Sequence, residues 1–91
     1  MKYKIRRVID RILEEVFEKF KYELLDLDVF NVEARFLAES ILEEEFGWMR
    51  SKLIKVQFDI DDDNKLVILF YDNRYNKKLN SIDELEELLG G

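Results

Sequence analysis

The stretch that most limits how this chain can fold is Leu66-Val67-Ile68-Leu69-Phe70-Tyr71. In a strand, successive side chains point to opposite faces, so a strand here is apolar on both sides. The segment before it, Leu53 to Asp61, alternates instead. Ile54, Val56, Phe58 and Ile60 share one face, and Lys55, Gln57, Asp59 and Asp61 share the other. That is the pattern of a half-buried strand. Asp61-Asp62-Asp63-Asn64 between them is a turn cluster, and the two runs read as a β-hairpin. A two-stranded hairpin is marginal in water by itself. Both faces of the second strand therefore need a cover.

The first cover is helical. Ile5, Val8, Ile9, Ile12, Leu13, Val16, Phe17, Phe20 and Leu24 follow helical spacing, which predicts an amphipathic helix over 5–26 with a wide apolar stripe. Glu15 and Lys19 stand at i,i+4 within it. Asp26-Leu27-Asp28 reads as a short connection, with Asp28 or Asn31 able to cap a second helix over 29–46. Its inner stripe is Phe30, Ala34, Leu37, Ala38, Ile41, Leu42 and Phe46. So short a link makes the helices an antiparallel pair. Gly47 either ends the second helix or lies inside one running on to Arg50. After the hairpin, Asp72 to Asn80 is polar and reads as a loop. Ser81 with Glu84 then matches a capping box ahead of Ile82, Leu85, Leu88 and Leu89. The expectation is one α+β domain over 1–91, in the order α-α-β-β-α. A helical hairpin packs on a β-hairpin, a short C-terminal helix follows, and a second copy is able to complete the sheet. Lys2 to Ile5 as a short strand beside the hairpin is a minor alternative.

Composition narrows the chemistry. The 91 residues contain no cysteine, histidine, proline or threonine. Disulfides, thiolate nucleophiles and thiolate metal sites are excluded, and the commonest general base and metal ligand is missing. The reading is a protein that is not an enzyme and holds no cofactor or metal. Charged residues make up 40% and hydrophobic residues 47%, which suits a globular chain. No apolar run is long enough to span a membrane, and the N-terminus lacks the apolar stretch of a signal peptide. The expected location is cytoplasmic, with no membrane partner. The wealth of Glu, Lys, Arg, Ile and Leu resembles thermophile usage, although five Asn run against it.

Candidate surfaces divide into three groups. Val29, Val32 and Phe36 lie off the inner stripe of the second helix and, with Tyr71 and Tyr75, are the candidate protein contacts. Trp48 and Tyr75, with the last helix, are alternatively able to finish a monomeric core. The acidic candidates are Glu43, Glu44, Glu45, Asp59, Asp61, Asp62 and Asp63. The last of these begin like a calcium loop, but Asn64 stands where glycine is required and Phe70 where the bidentate acid belongs. The basic candidates are Lys2, Lys4, Arg6, Arg7 and Arg11 at the start, and Arg74, Lys77 and Lys78 beside Tyr75. Cations at a helix N-terminus and acids at a helix C-terminus both oppose the helix dipole. An antiparallel hairpin brings those two ends together, so they can pair.

No motif specifies an activity. The leading expectation is a small non-catalytic protein-interaction module, accessory or regulatory, that self-associates as a homodimer. The alternatives are three. One is an acidic nucleic-acid mimic that inhibits a basic partner. Another is nucleic-acid binding through 2–11 and 74–78, against a net charge of −6. The third is a designed chain without a function.

Overall fold

The first helix, α1 (Lys2–Phe20), buries Ile5, Val8, Ile12, Val16 and Phe20 along one face, as the spacing predicts. It begins at Lys2, so the alternative of a strand over Lys2 to Ile5 is wrong: Ile5 N–H already donates to the Met1 carbonyl in the first helical turn. Our computed structural model describes residues 1–20 and 27–90, apart from the side chains of 27–29. Leu24, Asp26, the Asp28 cap, the Val29 contact and Gly91 lie outside the described residues. The second helix, α2 (Leu27–Phe46), begins two residues before the expected start. Asn31 is therefore not a cap but sits inside the helix.

Gly47 breaks the helix with φ +91° and ψ 160°, a conformation that side chains other than glycine rarely adopt. A single further turn, α3 (Trp48–Ser51), follows the break. The chain thus uses Gly47 both to end α2 and to restart a short helix. Trp48 is 57% exposed and Tyr75 72% exposed, so neither finishes the core. Trp48 lies under the Lys52 ammonium, 4.2 Å from the ring centre.

The strands β1 (Ile54–Ile60) and β2 (Leu66–Asp72) pair antiparallel, with Val56 opposite Phe70 and Phe58 opposite Ile68. Asn64 takes φ +60° in the turn, where asparagine tolerates the left-handed region. A third strand, β3 (Lys77–Lys78), extends the hairpin to a three-stranded sheet in the order β1-β2-β3. The polar loop expected over 72–80 therefore contains a strand. The last helix, α4 (Ile82–Leu89), starts at the expected capping box: Glu84 N–H donates to Ser81 Oγ, and Asn80 N–H donates to the Glu84 carboxylate.

The helices α1, α2 and α4 and the sheet share one core. Phe30 joins the layers, meeting Phe20 of α1 and Phe58 of β1 edge to face at 5.4 and 5.8 Å. Val56, Phe58 and Phe70 on the inner sheet face are buried with Ala34, Ala38 and Leu42 of α2, with Ile12 of α1 and with Leu85 of α4. The small residues Ala34 and Ala38 are fully covered. Among the described residues, no helix is long and apolar enough to cross a membrane.

Candidate interaction surfaces

The charged ends of the helical pair neutralise each other. Lys4 Nζ donates to the backbone carbonyl of Glu45 at 2.8 Å, and Arg7 reaches the Glu45 carboxylate at 3.3 Å. Arg11 reaches Glu44 at 3.0 Å, Glu45 at 3.3 Å and Glu15 at 2.8 Å. Glu44 and Glu15 hold the Arg11 guanidinium above its usual pKa. The Glu15 partner is thus Arg11 rather than Lys19. Lys2 pairs with Asp83 of α4, which raises its pKa. Lys4, Arg7 and Arg11 therefore act as counter-charges for the α2 C-terminus. Arg6 lies on the exposed side of α1.

The second basic group is also largely structural. Arg74 grips Asp72 through Nε at 3.2 Å and Nη2 at 3.0 Å, and its own backbone N–H donates to the same carboxylate at 3.0 Å. This fork holds Asp72, only 8% exposed, below the usual carboxylate range. The guanidinium also lies 5.1 Å from the Tyr75 ring centre. Lys77 and Lys78 form the short edge strand. In the hairpin turn, Asp61 Oδ1 accepts the N–H groups of Asp63 and Lys65, both at 2.9 Å, so the acidic cluster shapes its own turn. Among the described residues, no group of three or more carboxylates is placed to hold a metal ion.

Two apolar surfaces remain. The outer sheet face carries Val67, Leu69 and Tyr71 in a row along the central strand. They are half-buried by sheet neighbours but do not belong to the core cluster. Asp59, Gln57 and Lys55 stand opposite them on β1, and Lys78 stands opposite Tyr71 on β3. The β1 edge of the sheet is blunted. Phe58 N–H, on the open side of β1, donates to Asn31 Oδ1 at 2.7 Å, and Ile60 N–H donates to Asp59 Oδ1 at 2.8 Å. On the other side the two lysines of β3 cover only Tyr71 and Asp72 of β2, and Leu79 N–H donates to the Phe70 carbonyl. Short, charged or side-chain-capped edges resist the addition of a further strand.

The second surface is a groove of about 650 Å³ between α1 and the hairpin tip. Asp10, Leu13, Glu14 and Phe17 line it from α1 at i, i+3, i+4 and i+7; Ile60, Asn64, Lys65 and Leu66 line it from the hairpin. Phe17 is 59% exposed here. Asp83 and Gly90, at the two ends of α4, both meet the start of α1, at Lys2 and Met1, so α4 sits at that end of α1 and not over the groove. Sequence reasoning placed Leu13 and Phe17 in the core stripe and missed the groove; the width of that stripe was the available signal.

Of the expected contacts, Val32 and Phe36 are 56% and 69% exposed on α2, flanking a small hollow with Arg35 and Glu39. They are not brought together with Tyr71 in either surface. Comparison with known proteins yields no relative: no family model, no curated protein and no solved structure matches the chain.

Proposed function

We propose that this chain is a non-catalytic protein-interaction module that pairs with a second copy of itself through the outer face of its sheet. The observation that supports this reading is the row Val67, Leu69 and Tyr71 on the sheet face away from the core that the described helices share. An antiparallel sheet tolerates one wet face when that face is polar. Here the central strand is apolar on its outer side, and burial of such a row is favourable. Pairing by sheet extension along β1 is opposed by its capped edge, and stacking is the arrangement that buries the row.

The flanking charges select the orientation. A twofold axis lying across the strands through Gln57 and Leu69 sets each Asp59 against the partner's Lys55, and each Leu69 against its equivalent. An axis along the strands sets Lys55 against the side that carries the partner's Lys78, where like charges repel. The first arrangement is self-complementary, as a twofold interface requires. The sheets then lie about 10 Å apart, the usual spacing for packed sheets.

Sedimentation equilibrium across micromolar concentrations tests the reading. The expected species is a dimer for the wild type and a monomer with unchanged far-ultraviolet circular dichroism for Lys55→Asp. The double variant Lys55→Asp with Asp59→Lys restores the dimer by exchanging the two charges. A monomeric wild type, or a Lys55→Asp dimer as tight as wild type, removes the proposal.

A further inference from the structure

We infer that the groove between α1 and the hairpin tip takes an amphipathic helix of a partner protein, with lysine or arginine on the flank that meets α1. The inference stands independently of the sheet-face pairing. Three features of the groove specify this occupant.

The floor is apolar, with Leu13 and Phe17 of α1 on one wall and Ile60 and Leu66 of the hairpin on the other, and Lys65 on the hairpin side. A slot between a helix and a sheet face accepts another helix, as α4 is accepted at the other end of α1. The α1 rim carries Asp10 and Glu14 one turn apart, both exposed. Neither makes an ion pair among the described residues, whereas Glu15, Glu44 and Glu45 all do. Two such carboxylates beside an apolar floor match a helix with apolar anchors on one face and cations at i,i+4 on the adjoining one. The net charge of −6 draws basic partners and repels acidic ligands.

Calorimetric titration with synthetic peptides tests this. One peptide of about 18 residues, long enough to form a helix, carries leucine on one face and lysine on the other. A second carries glutamate in place of lysine. The lysine peptide is expected to bind in a salt-dependent way, and the glutamate peptide at least about tenfold more weakly. Removal of the aromatic anchor in Phe17→Ser is expected to weaken binding about tenfold. Asp10→Asn with Glu14→Gln weakens binding and flattens its salt dependence. Asp62→Asn with Asp63→Asn removes the same charge from the hairpin turn and leaves affinity unchanged. The monomeric Lys55→Asp variant binds the peptide as wild type does, which separates this site from the dimer face.

Several outcomes overturn the inference. These are no binding, equal binding of the two peptides, full affinity in Phe17→Ser, or an equal loss in the turn variant. Loss of self-association in Phe17→Ser also overturns it, because the occupant is then a second copy of the chain.

Discussion

Lys4 of α1 donates its ammonium to the backbone carbonyl of Glu45 in the last turn of α2, at 2.8 Å, and lies 4.9 Å from the centre of the Phe46 ring. The last carbonyls of a helix lack partners within it, and the negative end of its dipole attracts a cation. One side chain meets both needs and ties the start of the first helix to the end of the second. Cations at the N-terminus of α1 are unfavourable for α1 alone and favourable for the pair.

Replacing Lys4 with Met keeps most of the apolar stem and removes the donor. The expected cost is about 1 kcal/mol, the net worth of one such hydrogen bond. In a domain of this size that lowers the melting temperature by about 4–8 °C. Thermal denaturation at low and high salt measures it. The difference from wild type should shrink as salt screens the charge, and a difference independent of salt would point to lost packing instead.

Asn31 guards the sheet. Its side-chain oxygen accepts the Phe58 N–H on the open side of β1 at 2.7 Å. In Asn31→Ala that N–H loses its partner in a half-buried place, which costs about 1–3 kcal/mol. Amide exchange at Phe58 should accelerate more than exchange at Gln57, whose N–H faces β2. The variant should also aggregate more readily on heating, because an open strand edge pairs with other chains. Unchanged exchange at Phe58 would show that the α2 backbone alone shields the edge.

These two contacts mark how far the sequence could be read. The hydrophobic period of α1, the alternation of β1 and the two-sided run of β2 were legible because each repeats over several residues and reports on burial directly. The bare outer face followed from Leu66–Tyr71 for the same reason. The two-residue strand β3 was not legible, since Lys77 and Lys78 carry no apolar signal and pair only because β2 has an edge to offer. Nor was Asn31 legible as an edge guard. Its role depends on where α2 crosses β1, which is set by packing around Phe30 and Phe58 rather than by local pattern. The groove was hidden likewise, because it arises from the resting place of α4 on α1.

The Asp72–Arg74 fork makes stability depend on acid. Its arginine bonds hold the Asp72 pKa below the ordinary carboxylate value. A carboxyl whose pKa is lower in the folded state binds a proton more readily when unfolded. Its contribution is therefore complete above about pH 4, the unfolded value, and is lost as the pH falls through the lower, folded one. Urea denaturation of wild type and Asp72→Asn should show a gap in stability that stays level from neutral pH to about pH 5 and narrows below about pH 4. The other carboxylates titrate in both proteins and cancel in the difference. A gap that widened in acid would mean that Asp72 is unfavourably buried despite its partner.

Among the described residues, Gly47 is the one glycine whose backbone demands its identity. At φ +91° and ψ 160° an L side chain is strained, yet a Cβ built there meets nothing within 4 Å. The strain is thus separable from any clash. Gly47→Ala is expected to cost about 1–3 kcal/mol through the backbone alone. The mirror-image residue reverses the sign. D-alanine at this position, introduced by chemical synthesis, adopts the same angles without strain and restricts the unfolded chain. It should match or exceed glycine in stability, by up to about 1 kcal/mol. If L- and D-alanine destabilised equally, the break between α2 and α3 would owe its shape to surrounding contacts. The exposed turn of Trp48 and Met49 would then be held from outside rather than by the conformation of Gly47.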